Sequence, residues 1–268
     1  MKENLRNLLL SIGSRYRYVE WFPKSGNKDV VPKGYELCEV NFNHAHNYYP
    51  YNIERIDKYW ISQFVHEIEK SKHYILSTAF LPKKFDNISI PWGTGVIESK
   101  EEFKYGYFTC KLMVPLGLKY IWPAFWLYGS DGKIYTEIDI VEAYSKEGEY
   151  RAFTKFQSNV HYQYNESPWV NTGAKNHPIS EHRFFNDSFN SIKDCYERSH
   201  IKFSLHWTED FLRFYYDGYL VREITDKDLL NKFVPMKLVI NNSVEADKNP
   251  SLNSSLEVKD IEVWRKRI

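Results

Sequence analysis

Cysteine is scarce. Cys38, Cys110 and Cys195 are the three in 268 residues. Wide spacing and an odd number argue against a full disulfide framework, and no metal-ligand spacing exists among them. Cys110 sits in the strand-like run Phe108 to Val114 and reads as a buried thiol. Long apolar runs are also missing, since no stretch approaches the roughly 20 residues that a helix needs to span a bilayer. Leu8-Leu9-Leu10-Ser11-Ile12 is too short for a signal-peptide core, and Arg15 and Arg17 follow it. Neither sign of charge dominates: 36 basic side chains face 35 acidic ones, a net +1. Nothing in that balance draws the chain to nucleic acid or to an anionic membrane. No repeat, low-complexity tract or clear linker divides it. We therefore expect one domain over residues 1–268, with 1–20 a flexible or peripheral N-terminal segment.

Aromatic residues, by contrast, are abundant: 8 Trp, 21 Tyr and 17 Phe make 17% of the chain. Many must be core. The surplus also suits a protein that stacks flat rings on sugars, because Trp and Tyr join an apolar face to a polar edge.

From residue 88 onward, short apolar segments alternate with turn signals. Ile88 to Trp92 is read as ending at Gly93-Thr94-Gly95, and Tyr105 to Val114 at Pro115-Leu116-Gly117. Tyr120 to Tyr128 ends at Gly129-Ser130-Asp131-Gly132. Ile134 to Tyr144, Asn159 to Gln163, Ile201 to Trp207, Leu212 to Tyr216, Tyr219 to Ile224, Met236 to Ile240 and Leu256 to Trp264 complete the set. Asp217-Gly218 is a hairpin turn. Such spacing indicates an all-β sandwich or barrel. Residues 53–72 stay ambiguous between a helical stripe and a hairpin closed by Glu69-Lys70-Ser71-Lys72. Pro168 to Asp194 reads as a long surface loop, of the length that is usually functional or disordered. His44 and His46 form a His-x-His pair in a polar-aromatic loop, without a third ligand nearby.

The chemistry concentrates in Thr136-Glu137-Ile138-Asp139-Ile140-Val141-Glu142. Interleaved β-branched residues make it a strand. Alternation places Glu137 and Asp139 on one face and Ile138 and Ile140 on the other. A β-bulge near Ile140-Val141 would return Glu142 to the acidic face. A row of three carboxyls could otherwise be a plain solvent-facing strand. Two carboxyls flanking a glycosidic bond are, however, the minimum apparatus for cleaving it. Crowded acids also raise one another's pKa, which keeps one of them protonated as an acid catalyst.

The stretch resembles the bulged catalytic motif of glycoside hydrolase family 16, the family of laminarinases, agarases, porphyranases and carrageenases. Trp122-Pro123-Ala124-Phe125-Trp126-Leu127 resembles its tryptophan strand. Gly95-Val96-Ile97-Glu98-Ser99-Lys100 and Tyr105-Gly106-Tyr107-Phe108 resemble its upstream segment. His206-Trp207-Thr208 and Phe214-Tyr215-Tyr216-Asp217-Gly218 resemble its late hairpin. The resemblance runs from about Gly95 to the C-terminus and implies a jelly-roll β-sandwich, concanavalin A-like, with a concave substrate groove. It implies an endo-acting retaining β-glycosidase with Glu137 as nucleophile, Glu142 as acid and base, and Asp139 tuning both. Trp122 would line the cleft. Trp126 shares its face, and core is the alternative for both. His161 would contact substrate or the acids, or else be a structural histidine. Gln163 shares its face, and Tyr135 either meets substrate or supports Glu137.

No cofactor is required by this reading, although the resemblance admits a structural calcium ion. The partner is a polysaccharide or oligosaccharide, the chain a monomer, and the compartment by resemblance secreted or periplasmic. Thr136 stands where laminarinases carry Gly, Lys111 where the family carries Arg, and Asn241 to Ser255 lacks their glycine-rich segment. The polymer is therefore left open among a β-glucan, a galactan or a related glycan. A non-catalytic carbohydrate-binding protein and a transglycosylase are the alternatives on the same fold.

Overall fold

The computed structural model describes residues 29–44, 61–62, 65–68, 73–85, 88–114, 121–143, 154–164, 180–184, 200–216, 218–244 and 254–267. Sixteen strands dominate them. In chain order they are β1 (Tyr35–Leu37), β2 (Phe42–His44), β3 (Ile61–Ser62), β4 (Val65–Ile68), β5 (His73–Phe85), β6 (Ile88–Phe103), β7 (Gly106–Met113) and β8 (Ile121–Ser130). Then come β9 (Ile134–Glu142), β10 (Thr154–Tyr164), β11 (Ser180–Phe184), β12 (Ile201–Trp207), β13 (Leu212–Tyr216), β14 (Tyr219–Ile224), β15 (Met236–Val244) and β16 (Ser254–Lys266). One short helix, α1 (Lys227–Leu230), starts at Asp226, whose side chain accepts from the backbone N–H groups of Asp228 and Leu229. Such a cap satisfies donors that the first turn cannot bond internally.

The strands form two sheets. The inner one runs β11-β10-β9-β8-β15-β6, with β2 beyond β6. The outer one runs β5-β16-β7-β12-β13-β14, with β4 beside β5 and β1 beside the far end of β16. The long β5–β6 hairpin joins them. Every described pairing is antiparallel except the short β3–β6 contact.

Alternation along the strands builds the core between the sheets. Phe108, Cys110 and Leu112 of β7 meet Phe203, Leu205 and Trp207 of β12 and Phe214 and Tyr216 of β13. Opposite lie Phe125 and Leu127 of β8, Ile138 and Ile140 of β9 and Leu238 and Ile240 of β15. Phe156, Phe203 and Tyr216 pack edge to face, with centroids 5.0 to 6.1 Å apart, beneath the acidic strand. Edge-to-face contact sets the positive rim of one ring on the negative face of another. Cys110 is buried, and burial pushes its thiol well up.

Three sequence expectations change here. Gly93-Thr94-Gly95 is not a turn. It lies within β6, where Gly93 pairs with Ala79 and Asn242 with Gly95, so flanking strands hold the segment extended. The excursion from Pro168 to Asp194 contains β11, which pairs with β10 from Ser158 to Thr154. Its remaining residues lie outside the described set. Of the two readings of 53–72, the described part takes the hairpin: Val65–Ile68 pairs with His73–Leu76. Residues 1–20, His46, Cys195 and Asp217 lie outside the described residues, as does the side chain of His44.

Candidate active site

β9 carries the site, and its two neighbours show how. Across β8, Phe125 pairs with Val141 but Trp126 pairs with Asp139. Across β10, Gln157 pairs with Glu142 but Asn159 pairs with Asp139. Both ladders skip Ile140, so one extra residue is inserted there and a bulge forms. Ile140 and Val141 are both buried, and Glu142 returns to the face of Glu137 and Asp139. Residues directly opposite in an antiparallel pair share a face. Ala124, Trp126 and Tyr128 of β8 and Gln157, Asn159 and His161 of β10 therefore flank the acids.

The acid row is tightly wired. The Tyr135 hydroxyl donates to Oε2 of Glu137. Asp139 and Glu137 stand close together on this face, each with a carboxylate oxygen within 4.8 Å of the other's and of a His161 ring nitrogen. Nε2 of His161 lies 3.2 Å from Oδ2 of Asp139 and 3.7 Å from Oε1 of Glu137. The indole N–H of Trp122 donates to Oε1 of Glu142 at 2.9 Å. Asp139 is only 3% exposed.

Burial dominates the electrostatics. It pushes Glu137 up to about 8, helped by the charge of Asp139 and opposed by His161 and the Tyr135 hydroxyl. Burial raises Asp139 too, while the charge of Arg222 pulls it down. Glu142 is pushed well up by burial and by the charges of Asp139 and Glu137, against His161 and Trp122. Three crowded carboxyls out of water lose their protons one at a time. All three shifts are upward, the direction in which a carboxyl keeps the proton that acid-assisted displacement needs.

Trp126 lies on the acid face, not in the main core. It is 9% exposed, and its N–H donates to Oδ1 of Asn241 at 2.7 Å. Nδ2 of Asn241 donates in turn to the backbone oxygen of Trp122 at 3.1 Å and to Oγ of Ser243 at 2.7 Å. With Val96, Ala124 and Val239, Trp126 forms a small apolar floor, separate from the core between the sheets. The hydroxyl of Tyr135 reaches Glu137 from two residues along the same strand. Gln163 pairs with Tyr135 across β10, on the same face and half-buried.

Some groups on this face had no motif to announce them. Tyr128 pairs with Glu137 across β8, and its ring lies against Trp126 at 5.2 Å and Tyr135 at 6.3 Å. Its hydroxyl donates to Oε2 of Glu98 at 2.6 Å, and Lys237 Nζ donates to Oε1 of Glu98 at 2.9 Å. Lys237 and Tyr128 are direct partners across β15 and β8, so this cluster continues the acid face across the inner sheet.

Among the described residues, one group of His, Cys, Asp or Glu side chains brings three ligating atoms within 4.8 Å of one another: Glu137, Asp139 and His161. Two carboxylates and an imidazole are not the six to eight oxygens that calcium takes. A calcium ion does not fit this group.

A two-sheet sandwich whose concave face carries an ordered row of buried carboxyls, beside tryptophan and histidine, has the build of a glycoside hydrolase. The chain belongs to glycosyl hydrolases family 16, whose family model matches residues 57–258. No curated protein sequence matches the chain. Solved structures share its fold at low identity. The κ-carrageenase of Pseudoalteromonas carrageenovora, in complex with an oligotetrasaccharide of κ-carrageenan, is 18% identical, with TM-score 0.62 over 84% of this chain and 88% of that one. The laminarinase catalytic domain of Thermotoga petrophila RKU-1 is 16% identical, with TM-score 0.61 over 94% and 98%. Porphyranase B of Zobellia galactanivorans is 16% identical, with TM-score 0.58 over 89% and 88%.

Proposed function

We propose that this glycoside hydrolase is an endo-acting, retaining β-glycosidase that cleaves a β-linked polysaccharide by double displacement. What supports the reading is the row Glu137, Asp139, Glu142 on one face of β9, with the bulge at Ile140 returning the third acid to the first two. The Glu137 carboxylate attacks the anomeric carbon, and the glycosidic C–O bond breaks as Glu142 gives its proton to the leaving oxygen. An ester joins the sugar to Glu137. Glu142, now a base, takes a proton from water as the water oxygen attacks the same carbon. The ester breaks, and the sugar leaves with its configuration retained.

Asp139 has a defined part in this sequence. When a proton rests on Asp139, Glu137 is the anion and has the Tyr135 hydroxyl as donor. The nucleophile is then charged while Glu142 keeps its proton. Trp122 and Trp126 offer ring faces to the sugar, and His161 turns Nε2 to Asp139 and Glu137. The three acids supply nucleophile and proton, so the step needs no cofactor. The polymer is a β-glucan, a galactan or a related glycan.

The test is product release from a panel of β-glucans, agars, carrageenans and mucin-type glycans, by wild type and by Glu137→Gln. Oligosaccharides from one polymer, lost in the variant, with a β-anomer as first product by proton NMR, support the reading. A first α-anomer overturns retention. Binding by both proteins without release overturns the enzyme reading in favour of a carbohydrate-binding protein. Longer oligosaccharides in the products would mark a transglycosylase.

A further inference from the structure

β14 presents Arg222 and Ile224 to the interior, opposite Phe214 and Leu212 of β13, and both are buried. The first of them is a guanidinium. It lies opposite Phe214 of β13, with Cζ 5.6 Å from that ring. Burying an ion costs several kcal/mol unless partners repay it. A strand that places Arg beside Ile224 on its core face calls for an explanation.

The partners supply one. Arg222 Nη1 donates to the backbone oxygen of Ser158 at 2.7 Å and lies 3.4 Å from the Ser158 hydroxyl. Ser158 is the β10 residue that faces the bulge, between Gln157, the partner of Glu142, and Asn159, the partner of Asp139. On the β9 side, the Tyr216 hydroxyl donates to the backbone oxygen of Ile140, the inserted residue, at 2.9 Å. Bulges disrupt a ladder and leave carbonyls without their usual donors. A buried carbonyl needs a donor. Here the core side provides two, one from β13 and one from β14.

We propose that Arg222 is a positioning residue of this site: through Ser158, and together with Tyr216, it holds the bulge from the core side and so fixes where Glu142 stands relative to Glu137. This rests on the reading of Glu137 and Glu142 given above. Arg222 touches no sugar. It acts through β10 and through its charge, which lies on the far side of the sheet from the acids. The groups that face the row are Tyr135 on β9 itself, His161 on β10, Tyr128 on β8 with Glu98 and Lys237 beyond it, and Tyr216 and Arg222 from the outer sheet. The Arg222 charge acts to lower Asp139.

The experiment compares wild type with Arg222→Met, Arg222→Lys and Tyr216→Phe, using Arg213→Met on the outer face as a control. Two readouts are taken: kcat and KM on the polymer the panel selects, and the titration of ¹³C-labelled carboxyl groups by NMR. For Arg222→Met we expect kcat to fall about 10- to 100-fold with KM within about two-fold, the signature of a misplaced catalytic group. The carboxyl titration of the row should move up by about one pH unit, because a nearby cation has been lost. Arg222→Lys should restore the titration but only part of kcat, since an ammonium lacks the planar fork. Tyr216→Phe should lower kcat. Wild-type kcat with an unshifted titration in Arg222→Met overturns the proposal. If Arg222→Met does not fold, wild-type kcat in both Arg222→Lys and Tyr216→Phe overturns it, and a lowered kcat in both supports it. If wild type cleaves no polymer, the functional reading fails by itself, and the carboxyl titration still decides for or against Arg222.

Discussion

The indole N–H of Trp122 donates to Oε1 of Glu142 across 2.9 Å, joining the tryptophan strand to the far end of the acid row. A donor to the ionised carboxyl pulls its pKa down, against burial and two neighbouring charges. Trp122→Phe keeps a ring and removes the donor. Glu142 should then hold its proton to higher pH, and the alkaline limb of the kcat/KM profile should move up. A hydrogen bond to a charged group is worth about 1.5–3 kcal/mol, so the rate at the optimum should fall by about ten-fold or more. A pH–rate profile checks both effects. An unmoved alkaline limb would show that Trp122 only stacks.

Glu137 is a cost to stability as well as the proposed nucleophile. Its folded pKa is pushed up to about 8, whereas in the unfolded chain it returns to an ordinary carboxyl value. Below about pH 4.3 both states hold the proton and nothing is lost. Between there and pH 8 the unfolded state releases its proton more readily, so stability falls as pH rises. Glu137→Gln removes the titration. The variant should melt above wild type at pH 7 and level with it at pH 4. Each kcal/mol relieved is about 2–4 °C in a chain of this size. Calorimetry at the two pH values tests this.

His206 carries the opposite sign. Burial, and then the charge of Arg213, pushes it down to about 4. It sits edge-on to Phe211 at 4.9 Å, and its Nε2 lies 3.2 Å from the Tyr35 hydroxyl. The fold therefore holds it neutral. As pH drops from about 6.5 toward 4, the unfolded chain takes up a proton that the folded chain refuses, and stability is lost. His206→Gln loses packing at pH 7, but its deficit against wild type should shrink by pH 4.5. A deficit that stays constant with pH would exclude His206 as an acid-sensitive point.

Gly129 closes β8 beside Tyr128. A Cβ built there would stand 2.0 Å from the backbone oxygen of Pro235. Backbone has little room to give way, so Gly129→Ala should cost about 3 kcal/mol, or about 6–12 °C in melting temperature. A melting curve within 2 °C of wild type, on the order expected of a harmless surface change, would refute this.

The acid row shows what was legible and what was not. Alternation alone aligns Glu137 with Asp139, and the placement of Glu142 demands a bulge. Only the ladders of β8 and β10 identify Ile140 as the inserted residue. Trp122 and Trp126 share a strand with the equally apolar Phe125 and Leu127, so hydrophobicity cannot choose the core face. Pairing of Trp126 with Asp139 does. Thr136, which departs from the laminarinase pattern, points into the core and is fully buried, away from the acids. Gly93 to Gly95 misleads because glycine serves turns and close strand packing alike. β11 hides because Ser-Glu-His-Arg-Phe shows no clean alternation. Arg222 was not legible, because simple alternation fails along β14: the register shift sets Leu220 opposite Tyr215 and Arg222 opposite Phe214, and only the ladder shows the charge on the core face.

The strand order also governs how the molecule comes into being. β15 lies between β8 and β6 in the inner sheet, and β16 between β5 and β7 in the outer one. Both follow residue 235. A nascent chain stopped there holds every acid of the row but neither of these bridging strands, so β8 has no link to β6 and β5 none to β7. Assembly waits for contacts of great sequence separation, which are slow to form. Catalytic competence thus arrives late and all at once during biosynthesis, and a ribosome-bound fragment carries the motif without the activity.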